Sequence, residues 1–212
     1  MSERAFDIEK LSFEIIDKEI GPHSYNELEW AIVRRVIHAT ADFEFANKGK
    51  IIFHNNPIDA AFNAIKNKCN IVTDVDMILS ALNKKSIADL GLNTACYISD
   101  KNIIDKARIY NKTRSEMAMR YAADKINGGI VAIGNAPTAL YEIIKMVRED
   151  ITKPALIIGI PVGFVSASES KEELAKINTP FISNIGRKGG SPAASSIVNS
   201  IMLLYKEIYK TK

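Results

Sequence analysis

The stretch IVAIGNAPTALYEII, residues 130–144, decides the fold. It opens with four apolar residues that include Ile and Val, which is typical of a buried strand. Gly134 then permits a tight turn, and Pro137 suits the first turn of a helix, where its missing N–H costs nothing. The stretch therefore predicts strand, turn and helix, the repeating unit of a parallel sheet.

The same alternation continues on both sides of this stretch. Further strands are expected at KIIFH (50–54), CNIVTD (69–74), ACYIS (95–99), ALIIGI (155–160) and, more weakly, FISNI (181–185). Helices are expected to begin at Asn56–Pro57, near Thr73, at Thr113, after Pro137, near 167 and at Ser191–Pro192. The predicted fold class is α/β, a doubly wound and mostly parallel sheet with helices on both faces.

Two helices are expected before the first strand, in IEKLSFEIIDKEI and in LEWAIVRRVIHAT, the second of them beginning at Ser24-x-x-Glu27. No low-complexity linker and no internal repeat interrupts the chain. We therefore expect one domain, 1–212, with a helical amino-terminal extension.

Composition excludes several classes of function. The 28 basic and 25 acidic residues are mixed along the chain, so a nucleic-acid partner is not expected. Cys69 and Cys96 belong to no Cys/His cluster, which argues against a metal site and for two buried thiols. The amino terminus has no signal-peptide pattern, and no run reaches the roughly 18 apolar residues that span a bilayer. We expect a cytoplasmic, soluble protein without a membrane partner.

Three segments offer candidate anion sites at predicted helix starts, where backbone N–H groups lack partners. In GNAPT, Asn135 is a candidate cap, and Thr138 lies in the first turn. In KTRSEM, Thr113 is a candidate cap that places Arg114 and Ser115 in the first turn, where a cation opposes the helix dipole unless it binds an anion. In GRKGGS, Arg187 and Lys188 flank flexible backbone. The alternatives are an ordinary turn, an arginine in water and a solvated basic loop.

No nucleotide-binding motif occurs. The lysine of GRKGGS precedes the glycine pair, unlike a Walker A loop, and no G-x-G-x-x-G is present.

His38 lies at the edge of the apolar arc that Leu28, Ala31, Ile32, Val36 and Ala39 form on a helical wheel. Arg35 lies inside that arc, one turn before His38. A histidine at the boundary of a core is usually structural, so this position alone leaves open whether His38 packs or transfers a proton.

Taken together and in order, these stretches resemble the precorrin-8X methylmutase family of cobalamin biosynthesis. The resemblance covers nearly the whole chain and rests on LSFEII, RVIHATAD, TDVDM, KTRSEMAMR, IVAIGNAPTALYEII, PALIIGIPVGFVSASESKEEL and GRKGGSPAASSIVNS. The succession of IGNAPTAL, GIPVGFV, ESK and GRKGGS is its most specific part.

The resemblance implies a flavodoxin-like sheet and a homodimer with sites at or near the subunit interface. It implies an isomerase that moves a methyl group from C-11 to C-12 of precorrin-8X or cobalt-precorrin-8, giving hydrogenobyrinate or cobyrinate. The partner is thus a corrinoid tetrapyrrole with several carboxylates, and no cofactor is expected.

The resemblance also implies roles for particular residues. His38 matches the catalytic histidine of the family, a general acid and base that protonates a ring nitrogen. Ser12 matches a substrate-contacting serine. Arg35 and Arg114 are expected to bind substrate carboxylates, with further substrate contacts from Thr113, Ser115, Asn135 and Thr138.

One segment departs from the family pattern. After His38, ATADFEFANKGK carries more charge than the run of small residues expected there, and Asp42 and Glu44 suit an anionic substrate only if they point away. Three rivals remain from residues alone: a flavin or nucleotide binder on this fold, a non-catalytic corrinoid carrier and an assembly subunit.

Overall fold

The structure, a computed structural model, describes residues 3–209. Its strands are β1 (Ile51–His54), β2 (Asn70–Thr73), β3 (Asn93–Cys96), β4 (Ile130–Ile133), β5 (Leu156–Gly159) and β6 (Phe181–Asn184). Its helices are α1 (Glu3–Ile20), α2 (Glu27–Thr40), α3 (Pro57–Lys66), α4 (Asp76–Ala81), α5 (Lys84–Leu90), α6 (Lys101–Ile109), α7 (Arg114–Tyr121), α8 (Ala123–Ile126), α9 (Pro137–Arg148), α10 (Ala167–Leu174) and α11 (Ser191–Tyr209). A short 3-10 helix spans Phe43–Ala46.

The six strands form one sheet in the order β1-β6-β5-β4-β2-β3. Only β1 is antiparallel, to β6. Counted along the chain without β1, the five parallel strands follow the order 2-1-3-4-5, which is the flavodoxin-like order. The doubly wound, mostly parallel sheet is therefore confirmed, and its topological switch point lies between β2 and β4.

Helices cover both faces of the sheet because the strand side chains alternate. Along β4, Ile130 and Ala132 enter one core, with α2, α3, α4, α5 and α11, whereas Val131 and Ile133 enter the other, with α7, α9 and α10. All four residues are fully buried. This pattern explains why the strands are continuously apolar rather than alternating.

Of the two helices expected to form an amino-terminal extension, one belongs to the core of the domain. On α2, Ile32, Val33, Val36 and Ile37 are buried, and this helix packs along α11 as part of a core layer. Its N-cap lies two residues after the predicted Ser24, because Asn26 and Glu29 form its capping box. Only α1 lies outside, packed on α2. No helix within 3–209 combines the length and apolarity needed to cross a bilayer.

Several boundaries differ from prediction for local reasons. FISNI, the weakest strand candidate, is interior between β1 and β5. The Ser183 hydroxyl and the Asn184 side-chain NH2 group donate to backbone carbonyls there. Strand β3 starts two residues before the predicted 95. Helix α4 is capped at Val75 and not by Thr73, and α5 and α6 were not predicted.

Candidate active site

An open groove of about 490 Å³ runs along α11, starting at the carboxyl edge of the sheet. Helices α2, α4, α5 and α11 form its walls. Its lining is Arg35, His38, Ala39, Met77, Ala81, Asn83, Ser86, Ser191, Pro192, Ser195, Ser196, Asn199, Ser200 and Leu203. Its volume falls within the range of about 300–1,000 Å³ that is usual for small-molecule sites.

His38 lies at the rim of this groove, in the last turn of α2. Its side chain is exposed, so it is not a core histidine. The ring meets Phe13 of α1 edge-on, with 5.5 Å between centroids and 69° between planes. This ring contact orients the imidazole, and no group within residues 3–209 forms a hydrogen bond with its nitrogens.

Phe13 supports two arginines as well as His38. The Arg34 and Arg35 guanidinium carbons lie 4.3 and 5.0 Å from its ring centroid. Such stacking on an aromatic face is favourable for a cation. Phe13 of α1 therefore contacts three polar side chains of α2.

Arg35, which the helical wheel placed inside the apolar arc, is paired with a carboxylate of the same chain. Its guanidinium donates to Glu9 over 2.6 Å, and its side chain is 28% exposed. The partner comes from α1, which the wheel for α2 cannot include. Arg35 still lines the groove, and its guanidinium has further donors beyond the one used by Glu9.

Ser12, next to Phe13 on α1, is half-buried. Its hydroxyl donates to the Ile8 carbonyl of its own helix over 2.8 Å. It does not line the groove.

Four of the predicted substrate residues lie together in what we call the polar edge: Thr113, Arg114, Ser115 and Thr138. Thr113 caps α7 in a capping box with Glu116, as predicted. Its hydroxyl donates to the Thr138 hydroxyl over 3.1 Å, which joins the starts of α7 and α9. Arg114 is exposed, and no carboxylate within residues 3–209 pairs with it.

The anion site expected at GNAPT is already occupied by a carboxylate of the protein itself. The buried Asp74 carboxylate accepts hydrogen bonds from the backbone N–H groups of Gly134 (3.1 Å), Asn135 (2.9 Å) and Ala136 (2.7 Å). Asn135 is exposed and does not cap α9, whose cap is Ala136. The prediction of free N–H groups at this turn was wrong, because Asp74 arrives from β2, the neighbouring strand.

Burial raises the pKa of Asp74, although the three N–H donors oppose that shift. The carboxylate fills the switch point between β2 and β4, where flavodoxin-like proteins bind their ligand. A phosphate placed there would meet a carboxyl group instead of open backbone donors.

The groove and the polar edge adjoin at two glycines. A Cβ on Gly134 would lie 2.9 Å from the Gly190 carbonyl carbon, so these backbones touch. Gly190 leads into Ser191 of the groove wall, and Gly134 leads into Asn135 and Thr138. The structure thus brings His38, Arg35 and Ser191 to one side of the sheet edge and the polar edge to the other.

The acidic residues after His38 point away from the groove. Asp42 and Glu44 hold the Lys188 ammonium at 2.7 and 3.0 Å, and Asp42 also caps the 3-10 helix. These two ion pairs raise the pKa of Lys188. They tie the GRKGGS loop to the end of α2.

Lys171 also holds the GRKGGS loop, through hydrogen bonds to its backbone. It is 5% exposed, and its ammonium donates to the carbonyls of Gly186 (2.8 Å) and Lys188 (2.5 Å). Burial lowers the pKa of Lys171 to about 7. The ESK motif therefore has a structural partner that the sequence did not reveal.

Neither cysteine suits nucleophilic chemistry. Burial raises the pKa of Cys69 and Cys96 to about 11, so both remain thiols at neutral pH.

Sequence reasoning identified Ser191, as the start of α11, but missed Ser195 and Asn199 on the same helix. Ser191, Ser195 and Asn199 recur every four residues and line the groove, and Asn199 also accepts from the Asn83 backbone N–H and donates to the Ala81 carbonyl. Their i, i+4 spacing, which places them on one face of the helix, was the available signal.

The fold and the groove together define a flavodoxin-like α/β protein whose switch point is closed and whose open site has a histidine at its rim. Comparison with known proteins narrows this class. Residues 7–204 match the model of the precorrin-8X methylmutase family. The chain belongs to that family and is an isomerase of cobalamin biosynthesis.

Individual relatives match almost the full chain. Cobalt-precorrin-8 methylmutase of Leptospira interrogans is 48% identical over 205 residues, which is 93% of this chain and 92% of that protein. The Priestia megaterium protein of the same name is 48% identical over 197 residues, covering 93% and 87%. A crystal structure of precorrin-8X methylmutase from Thermus thermophilus superposes with a TM-score of 0.87 at 36% identity, covering 95% and 96%.

Proposed function

We propose that this protein moves a methyl group from C-11 to C-12 of precorrin-8X, or of its cobalt-bearing form, with His38 as general acid and base. The product is hydrogenobyrinate or cobyrinate. The observation that carries this proposal is the exposed His38 at the rim of a groove, held by Phe13 and flanked by Arg35.

Histidine suits an isomerisation. The substrate and the product contain the same atoms, so a proton given to a ring nitrogen must return to the enzyme when the methyl group has moved. Imidazole can both give and recover a proton near neutral pH. General acid catalysis of this kind contributes about 10²–10⁴-fold.

Separate cations around a mostly apolar groove bind the carboxylates of the substrate. Arg35 lies in the groove wall, and the exposed Arg114 lies at the polar edge with Thr113, Ser115 and Thr138. A flat tetrapyrrole with acetate and propionate arms needs such dispersed contacts. Guanidinium groups bind carboxylates with two parallel hydrogen bonds, which orients the substrate. The hydroxyl of Ser12 and the amide of Asn135 are proposed as further contacts.

The alternative of a flavin-binding protein is not supported, because the switch point has no free phosphate site. Asp74 occupies the three backbone donors at the switch point, and its carboxyl group would oppose a phosphate. GRKGGS is the other candidate loop from the sequence, and its Lys188 is already paired with Asp42 and Glu44.

We also propose that the protein is a homodimer. Ile8, Leu11 and Ile15 lie on one face of α1 and are 57%, 58% and 48% exposed. An apolar stripe of this kind favours contact with another helix. Because α1 also carries Ser12 and Phe13, a second copy on this stripe would lie beside the site.

The test compares the wild-type protein with His38→Ala and with the control His23→Ala. His23 is also exposed but stacks on Trp30, with 4.0 Å between centroids. Each protein is mixed with precorrin-8X and with cobalt-precorrin-8, and product formation is followed by visible absorbance. We expect turnover for wild type and His23→Ala, and a loss of at least about 10²-fold for His38→Ala.

Product affinity separates catalysis from binding. His38→Ala is expected to bind cobyrinic acid and hydrogenobyrinic acid within about tenfold of wild type, as seen by pigment co-eluting with protein in gel filtration. If wild type and His38→Ala both bind the products but neither shows turnover, the protein is a non-catalytic corrinoid carrier. Unfolding of His38→Ala would return His38 to a structural role.

A further inference from the structure

Two loops at the carboxyl edge of the sheet are joined into one unit, which we call the paired loops: residues 161–166 after β5 and 185–190 after β6. Gly163 donates to the Arg187 carbonyl over 3.1 Å, and Gly190 donates to the Ile160 carbonyl over 2.9 Å. Val162 donates to the Gly134 carbonyl over 3.2 Å. The paired loops are thus bonded to each other and to the end of β4.

Close packing and buried charge hold the paired loops in place. A Cβ on Gly189 would lie 2.1 Å from the Ile160 carbonyl oxygen, so only glycine permits this approach. Lys171 bonds two carbonyls of the second loop from below, and Lys188 pairs with Asp42 at its side. The loops therefore have little freedom to rearrange.

This restrained unit presents an apolar surface to solvent. Phe164 and Val165 are 85% and 81% exposed. The Arg187 guanidinium carbon lies 5.8 Å from the Phe164 ring centroid, and no carboxylate within residues 3–209 pairs with that arginine. Phe164 is thus an exposed aromatic ring next to an arginine without a carboxylate partner in the described residues. Because the backbone of the paired loops is restrained, the loops cannot rearrange to bury the ring. Such a surface indicates a binding site.

The paired loops continue the wall of the groove. Gly190 precedes Ser191, which lines the groove, and a Cβ on Gly190 would lie 3.7 Å from Val162. A tetrapyrrole with carboxylate arms is larger than the drug-sized ligands that a groove of about 490 Å³ accommodates. Such a substrate extends beyond the groove, and the paired loops are the surface next to the groove at Ser191.

We propose that Phe164 and Arg187 form a substrate subsite on the paired loops. The Phe164 ring packs against the apolar face of the macrocycle, and Arg187 pairs with one of its carboxylate arms. This inference rests on the proposed function, since it deepens the description of the same substrate. Both side chains position the substrate and neither takes part in proton transfer.

The test uses Phe164→Ser and Arg187→Gln in the full chain. Ile109→Ser and Arg108→Gln are matched controls, because Ile109 is 75% exposed and Arg108 is an exposed arginine on α6. Affinity for cobyrinic acid and hydrogenobyrinic acid is measured by absorbance titration, and molar mass by light scattering. We expect each site variant to weaken binding by about tenfold or more, with both controls and all molar masses unchanged.

Other outcomes overturn the inference in distinguishable ways. Unchanged product affinity in both site variants would remove Phe164 and Arg187 from the site. A lower molar mass for Phe164→Ser would show that the paired loops contact a second copy instead. If wild type itself binds neither product, the proposed function fails before the subsite is at issue.

Discussion

At the scale of single residues, side chains that support the site differ in kind from side chains that face it. His38, Arg114, Phe164 and Arg187 are exposed, whereas Lys171 is buried beneath the loop that it holds. Exposed groups can be changed with little effect on folding. A buried charge cannot, because it contributes to stability in a way that depends on pH.

Lys171 gives a prediction with a definite sign. Its pKa is about 7 in the folded protein and 10.5 in the unfolded chain. Between these values the unfolded chain binds more protons, so the free energy of unfolding rises with pH. We expect the stability of wild type relative to Lys171→Met to rise by up to about 1.4 kcal/mol per pH unit from pH 7 to 10.

The measurement is urea unfolding of both proteins from pH 6 to 10, with the exposed Lys66→Met as control. The difference between wild type and Lys171→Met should be flat below pH 7. A difference that stays flat throughout, as expected for the control, would mean that Lys171 keeps an ordinary pKa.

At the scale of secondary-structure elements, the start of α9 depends on a residue from another strand. Pro137 supplies no N–H, and Ala136 has no capping side chain, so Asp74 supplies the acceptor for this turn. The carboxylate of Asp74 therefore joins the end of β2 to the end of β4, and it keeps Gly134 against Gly190.

Asp74→Ala is expected to lower the free energy of unfolding by about 3–5 kcal/mol, because three backbone N–H groups lose a charged acceptor. The control is Asp76→Ala in the same segment, whose exposed carboxylate accepts from Ser99. That change should cost about 1 kcal/mol or less. Equal urea midpoints for the two variants would contradict the role assigned to Asp74.

At the scale of the whole molecule, the groove, the polar edge and the paired loops lie around one edge of the sheet, and α1 lies outside the layer that forms the groove. The exposed stripe of Ile8, Leu11 and Ile15 lies on this outer helix, where a second copy can meet it.

Leu11→Asp tests the proposed dimer. Wild type is expected at twice the chain mass of 23.5 kDa in sedimentation velocity, and Leu11→Asp at the mass of one chain, because a charge in an apolar contact is costly. Ile109→Asp, on α6, should remain dimeric. A dimeric Leu11→Asp would place the interface away from α1.

Local features of the chain were predictable from sequence because their causes are local. Short runs of Ile and Val located every strand but β3, which contains neither residue and shares only Ala95 and Cys96 with the predicted ACYIS. Proline or a capping side chain located the starts of α3, α7, α9 and α11 within a residue or two. The order of whole motifs, from LSFEII to GRKGGS, indicated the family that the comparison then confirmed. These signals need only neighbouring residues or their succession along the chain.

Only the tertiary structure decided which charged groups meet. Asp74 reaches the N–H of Gly134 across 60 positions, Lys188 reaches Asp42 across 146, and Arg35 reaches Glu9 across 26. Each pair joins elements that the sheet and its helices bring together, so no spacing in the sequence predicts it. For the same reason the sequence predicted a free anion site at GNAPT, although in the folded protein the Asp74 carboxylate occupies it.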